Sequence, residues 1–219
     1  MAGRSVAIAR FADHGGIKSI HGTNNEKQFG QRDGSGVFTR AVLTYGGDQN
    51  LRYFRQGPHD GLCGFVAAIN AVRFLQHAVD RHDDINENDF FNEAVECLAR
   101  LPGCDLRILK NDPAVGGIDP FQVRDLCVSL VERLALPLTV SPPAVTKMRF
   151  ATRYRLAYAE GQQFALVAPF RDGSHWVAAL SHSDRTYCLV DHGYATITAL
   201  SKPSAPKLAT DAVVELRLV

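Results

Sequence analysis

The chain has 219 residues, of which 46% are hydrophobic, and can therefore bury a substantial core in one domain or one two-lobed domain. Its 24 basic and 23 acidic residues are spread along the sequence, which argues against nucleic acid or an anionic membrane surface as the main partner. The longest apolar runs are too short to cross a bilayer, so we expect no membrane span.

Residues 1–50 differ in character from the rest of the chain. The stretch 14–36 is polar and Gly-rich, which is typical of a loop or a flexible extension. The following stretch, 37–45, alternates apolar and polar residues and predicts a strand. We therefore divide the chain into an N-terminal extension, residues 1–50, and a folded domain, residues 51–219. The extension is either a loosely packed tail or a propeptide or targeting segment.

An apolar helix is predicted to begin at Cys63 and to run to about Arg81. Apolar residues recur in it at three- and four-residue spacings, as at Phe65, Ile69 and Val72, which builds one buried face. The residues before the cysteine are turn formers. The thiol of Cys63 is therefore expected at a helix N-terminus, where backbone N–H groups and the helix dipole favour a negative charge.

Three further helices follow, each marked by capping or terminating residues. Asn88 is expected to cap the second helix, and Pro102 with Gly103 to end it. Asp119 is expected to cap the third helix, whose first position is Pro120. The predicted helices cover residues 89–101, 120–134 and 145–160.

After Gly161 the pattern changes to short segments rich in β-branched and aromatic residues, separated by turn sequences. Such segments predict strands, and consecutive strands joined by short turns predict an antiparallel meander. Helices first and strands second favour an α+β fold. The predicted strands cover residues 163–170, 174–181, 185–191, 194–201 and 212–219.

Four residues in this layout carry the parts that thiol chemistry needs. Cys63 supplies a nucleophile, His175 supplies a base at the start of a predicted strand, and Asp191 ends the next strand. The step of 16 residues from His175 to Asp191 fits two strands joined by one turn, which brings the imidazole and the carboxylate together. Gln56, seven residues before the cysteine, offers a side-chain amide that can donate to an oxyanion.

Each of these residues also has a purely structural interpretation. A cysteine that opens an apolar helix is often a small buried hydrophobe. An aspartate at a strand end is commonly a turn residue, and a loop glutamine is usually solvated. Trp176, which follows His175, points to the opposite side of its strand and is expected to pack in the core. The order and spacing of the four residues favour the chemical interpretation.

Metal and cofactor sites are not indicated by the sequence. It has no CxxC or HxxxH pair, although zinc ligands usually come in such close pairs. The glycine pair at Gly116 and Gly117 precedes a helix but lacks the lysine and the glycine spacing of phosphate-binding loops. We therefore expect no metal and no cofactor. Five cysteines, an odd number, also favour free thiols over a disulfide framework.

The four residues described above, in the order Gln, Cys, His, Asp, resemble the site of the papain-like cysteine peptidases. The resemblance covers residues 56–74 and about 164–194. HWVAAL followed by VDHG is most similar to the bacterial leader peptidases of peptide exporters and to related effector proteases. The resemblance implies an N-terminal helical lobe that carries the nucleophile helix, a C-terminal antiparallel sheet lobe, and a site in the cleft between them.

The same resemblance implies a thiol hydrolase, most directly a cysteine peptidase that cleaves a peptide or isopeptide bond in a protein or peptide substrate. Two alternatives stay open. A transglutaminase-like acyl transferase or a protein glutamine deamidase uses Cys, His and Asp in the same order. A papain-fold binding module keeps the site without using it.

The composition also bears on origin and location. Arginine supplies 18 of the 24 basic residues, as in high-GC bacterial coding sequences, and no signal peptide is recognisable. We therefore expect a bacterial protein that acts in the cytoplasm or is delivered into another cell as an effector or toxin.

Overall fold

The computed structural model describes a defined part of the chain, and all structural statements below refer to it. Gln56 and most of the predicted extension, residues 1–39 and 46–48, lie outside the described residues. The described residues are 40–45, 49–54, 60–79, 87–110, 116–143, 148–171, 173, 175–191, 194–201, 208–209 and 212–219.

Within these residues the protein has an α+β fold, as the sequence predicts. The described helices are α1 (Cys63–Ala78), α2 (Glu87–Ala99), α3 (Pro120–Arg133) and α4 (Phe150–Ala159). The described strands are β1 (Arg40–Tyr45), β2 (Gln49–Phe54), β3 (Leu138–Val140), β4 (Phe164–Pro169), β5 (Trp176–Ser181), β6 (Thr186–Asp191), β7 (Tyr194–Ala199) and β8 (Val214–Leu218).

Strands β1 and β2 form an antiparallel hairpin of their own. Arg40 pairs with Phe54 at its open end, and Tyr45 pairs with Gln49 at the turn. The predicted strand over 37–45 coincides with β1 along residues 40–45. The hairpin crosses residue 50, where the sequence analysis separates the extension from the folded domain.

Six strands form one antiparallel sheet in the order β3-β8-β4-β5-β6-β7. Strands β4 to β7 follow one another as the predicted meander. The prediction was wrong for β8, which returns to the opposite side and pairs with both β3 and β4. The reason lies in β4, whose six residues are all buried. A strand buried on both faces belongs in the interior of a sheet and needs a neighbour on each side, and β8 is the second neighbour.

Helices cover both faces of this sheet. One face, which includes Ala178 and Leu216, packs into a cluster with α1, α2 and α3. The other face, which includes Val177, packs against Tyr154 and Ala157 of α4. Alternation of side chains along each strand therefore divides the core into two layers. Helix α1 is buried from its first residue through Gln76, so its position relative to the sheet is set by close packing.

Capping explains where α3 begins, whereas the cap predicted for α2 was wrong. Asp119 caps α3 as predicted: its carboxylate accepts from the Gln122 backbone N–H at 2.8 Å, and the Gln122 side chain accepts from the Asp119 N–H at 3.0 Å. The predicted cap Asn88 was wrong, because α2 begins one residue earlier, at Glu87. A run of polar residues before a helix offers several possible starting points, and Asn88 lies one position inside the one that is used.

Two further elements differ from the sequence prediction. Helix α4 begins at Phe150 and not near Val145, because Arg149 has the extended backbone of an N-cap, with φ −65° and ψ 141°. Strand β3 was missed altogether. Its three residues pair with β8 at the edge of the sheet and are too few to show alternation in the sequence.

Candidate active site

Cys63 is the first residue of α1 and follows a 3-10 turn formed by Asp60–Leu62. Leu62 at the N-cap makes no side-chain capping hydrogen bond, and the first turn of the helix carries no acidic residue. No side chain of these positions therefore competes for the positive end of the helix dipole. The cysteine is only 5% exposed, so the dipole acts on its sulfur with little screening by water.

The start of α1 packs closely against the segment that precedes α3. A Cβ atom added to Gly64 would lie 2.8 Å from Cγ1 of Ile118, and one added to Gly117 would lie 3.4 Å from the carbonyl oxygen of Gly61. Glycine at position 64 therefore permits an approach that any larger residue would obstruct. Residues 103–105 and 116–118 line a pocket of about 230 Å³ beside this contact.

His175 lies one residue before β5, at the end of the sheet. Its Nε2 atom is 2.6 Å from Oδ1 of Asp191, the last residue of β6. The register explains this contact: Ala178 pairs with Val190, so the next pair along the strands is Val177 with Asp191. His175 is two residues from Val177 and thus on the same face, diagonal to Asp191. Strand pairing brings the imidazole and the carboxylate together.

The Cys63 thiol is the second group that acts on the His175 imidazole. Burial alone lowers the pKa of His175, but the hydrogen bonds with Asp191 and Cys63 and the negative charges of both partners outweigh burial and raise the pKa to about 9. Asp191 is engaged at Nε2, and the other ring nitrogen, Nδ1, is buried. The structure thus brings together three of the four residues selected from the sequence.

Three other cysteines have environments that disfavour the thiolate. Burial raises the pKa of Cys97, and burial together with the charge of Asp105 raises the pKa of Cys104. Burial raises the pKa of Cys127 to about 12. The fifth cysteine, Cys188, is buried within β6. None of the five cysteines forms a disulfide, and among them Cys63 interacts with His175.

Gln56 and Trp176 were also considered in the sequence. Gln56 falls outside the described residues, so its oxyanion role stays a prediction. Trp176 is 9% exposed and packs in the cluster that contains Cys63, in agreement with its expected place in the core.

Sequence reasoning gave Asn70 no role at the site, but the structure gives it a specific contact. Its side-chain oxygen accepts from the Phe54 backbone N–H at 2.8 Å, and its side-chain amide donates to the Phe54 carbonyl at 3.0 Å. Asn70 lies seven residues after Cys63 on α1, and Phe54 lies two residues before Gln56. Helix α1 therefore anchors the chain two residues ahead of Gln56, the predicted oxyanion donor. A buried polar residue on an otherwise apolar helix face was the available sequence signal.

Among the described residues, no three His, Cys, Asp or Glu side chains come together in a way that would hold a metal ion. None of the described helices is long and apolar enough to span a membrane. Comparison of the chain with protein-family models, curated proteins and solved structures gives no match.

Proposed function

We propose that the protein is a thiol hydrolase of papain-like architecture, and specifically a cysteine peptidase that acts on a protein or peptide substrate. The observation that carries this proposal is the linked contact of Cys63, His175 and Asp191, with the thiol at the start of a buried helix. A nucleophile, a base and a carboxylate that orients the base are the parts that acyl transfer through a thiol requires.

The first half of the reaction forms an acyl-enzyme. Nδ1 of His175 takes the thiol proton, and the Cys63 thiolate attacks the carbonyl carbon of the scissile bond. The tetrahedral oxyanion collapses as the C–N bond breaks, and the proton on Nδ1 passes to the leaving amine. A thioester between Cys63 and the acyl group remains.

The second half returns the enzyme to its starting state. Neutral His175 takes a proton from water, whose oxygen attacks the thioester carbonyl. The new tetrahedral intermediate expels the Cys63 sulfur, which regains the proton from His175, and the carboxylic acid leaves. Throughout both halves the Asp191 carboxylate accepts a hydrogen bond from Nε2–H, which fixes the tautomer and favours the charged ring.

The oxyanion needs donors near the start of α1. The backbone N–H of Cys63 belongs to the first turn of the helix, where such groups have no partner within the helix. The Gln56 side chain is the second donor in this proposal. Its support is indirect: the Asn70 contact holds Phe54, two residues away in sequence, against the nucleophile helix.

The proposed architecture places substrate between a helical part and a sheet part. It is supported by the positions of the three residues, because Cys63 opens a helix while His175 and Asp191 lie at the ends of neighbouring strands. An extended peptide that crosses this boundary passes both the thiol and the imidazole.

The test is direct detection of new peptide termini. Wild-type protein, Cys63→Ala and the matched control Cys104→Ser are each incubated with a proteome-derived peptide mixture, and new N-termini are counted by mass spectrometry. We expect new termini with the wild type and Cys104→Ser and none with Cys63→Ala. Ammonia release without new termini would instead indicate a deamidase or an acyl transferase. If folded wild-type protein yields neither new termini nor ammonia, the result would favour the binding-module alternative.

A further inference from the structure

Phe170 stands directly across from His175 where β4 and β5 meet their connecting turn. Its backbone N–H donates to the His175 carbonyl at 2.7 Å, which continues the register in which Pro169 pairs with Trp176. The two rings form an edge-to-face contact, with centroids 5.4 Å apart and planes at 61°. An aromatic ring in edge-to-face contact with the imidazole restricts the rotation of the imidazole.

The backbone around Phe170 is fixed on both sides. The Gly173 N–H donates to the Phe170 carbonyl at 2.8 Å, and Gly173 has a φ of +72°, which closes the return towards His175 tightly. On the other side Phe170 bridges to Leu208, and the Ala209 N–H donates to the Pro169 carbonyl at 2.8 Å. The Phe170 ring packs in the same core layer as Leu208. It is therefore held against the imidazole by packing and by backbone hydrogen bonds.

Phe170 and Asp191 approach His175 from opposite sides. Strand β5 has β4 and β6 as its two neighbours, Phe170 follows β4, and Asp191 ends β6. Phe170 packs in the core layer on the α4 side of the sheet. His175 lies just beyond the end of β5, where its ring also interacts with Cys63 at the start of α1. The imidazole thus lies between an aromatic ring on one side and its carboxylate on the other. It cannot swing away from Asp191 towards β4 without displacing Phe170.

We propose that Phe170 is a positioning residue that holds the His175 ring in hydrogen-bonding contact with Asp191. The positioning is a property of the fold, and its catalytic consequence rests on the proposed thiol hydrolase function. Removal of the Phe170 ring leaves Cys63 and Asp191 in place but allows the His175 imidazole more rotational freedom.

The test uses the proton on Nε2 of His175. A proton held between Nε2 and a carboxylate oxygen at 2.6 Å should give a downfield ¹H NMR resonance that disappears in Asp191→Ala, which assigns it. In Phe170→Leu we expect this proton to exchange with water at least about tenfold faster. Turnover should fall about 10–100-fold with little change in KM, the scale on which misplacement of a catalytic group acts.

The matched control is Phe150→Leu, because Phe150 is also a partly buried aromatic of the α4 layer and contacts Tyr154 and Tyr187. It should leave the exchange rate unchanged. Phe170→Met, which keeps much of the volume without a planar ring, gives the same test should the leucine variant not fold.

An exchange rate in folded Phe170→Leu or Phe170→Met equal to that of the wild type would overturn the proposal. A wild-type protein that shows no Asp191-dependent resonance would overturn it as well. If wild-type protein shows the resonance but produces no new peptide termini, the result would contradict the proposed function. The positioning role of Phe170 would not be affected.

Discussion

Nε2 of His175 and Oδ1 of Asp191 lie 2.6 Å apart across two neighbouring strands of one sheet. The pairing of β5 with β6 places the two residues diagonally across neighbouring strand ends, which allows this contact. The same imidazole is acted on by the thiol of Cys63. A substitution at Cys63, His175 or Asp191 should therefore change a measurable property of the other two residues.

The carboxylate is the first target. Asp191→Ala should lower kcat by on the order of 10²–10⁴, because the imidazole loses the group that fixes its tautomer and favours its charged form. Asp191→Asn should lose less, since an amide oxygen still accepts from Nε2–H. Steady-state kinetics on both variants distinguish orientation from charge: equal losses would show that the negative charge, and not orientation, is what His175 needs.

The pH dependence of stability follows from the raised pKa of His175. The pKa is about 9 in the folded protein, compared with an ordinary 6.5, so the charged imidazole stabilises the fold fully below about pH 6.5. This contribution is lost as the pH rises through about 9. Urea unfolding between about pH 6 and pH 10 should show a larger fall in the free energy of unfolding for the wild type than for Asp191→Asn. Parallel curves would contradict the assigned cause of the shift.

Gly64→Ala tests the close approach at the start of α1. Alanine gains up to about 1 kcal/mol in helix propensity, but its Cβ would meet Cγ1 of Ile118 at 2.8 Å, and overpacking typically costs about 1–3 kcal/mol. We expect net destabilisation and reduced turnover, because Cys63 precedes the displaced residue. Gly116→Ala is the control, since a Cβ there meets nothing within 4 Å. Unfolding curves of the two variants give the comparison, and equal stabilities would refute the packing argument.

Asn70→Ala should destabilise the protein by removing the two hydrogen bonds that hold the end of β2 against α1. The substitution leaves the Phe54 N–H and carbonyl without their side-chain partners, which costs about 1–3 kcal/mol for a buried polar group. Asn70→Asp keeps the acceptor for the N–H and loses the donor to the carbonyl, so we expect an intermediate effect. Denaturant unfolding measures both. An alanine variant as stable as the wild type would show that water replaces the lost contacts without cost.

Local sequence patterns predicted much of the fold. The capping box at Asp119 and the apolar spacing after Cys63 are local signals, and both helices begin where expected. The contact of His175 with Asp191 was also predictable, because a turn between two adjacent strands determines their register. The cap at Asn88 failed, since a polar run before a helix offers several starting points.

The rest depended on contacts between distant parts of the chain. Strand β8 pairs with β4 because β4 is buried on both faces and needs a second neighbour. The sequence of neither strand identifies the other as its pairing partner. Two contacts form only when the strands and helices pack together. They are the hydrogen bonding of Asn70 to Phe54 and the ring contact of Phe170 with His175. Sequence spacing therefore predicted the contact between His175 and Asp191, but it did not predict the residues that pack around them.

Competitive alkylation tests activation of Cys63 by His175 most directly. Exposure alone predicts that iodoacetamide modifies half-buried Cys104 before buried Cys63, whereas activation by His175 predicts the reverse order. Wild-type protein and His175→Ala are treated at about pH 6, and the modified cysteines are identified by mass spectrometry over time. We predict that Cys63 reacts first in the wild type and that Cys104 overtakes it in His175→Ala. Modification of Cys104 first in the wild type, or the same order in both proteins, would contradict the account.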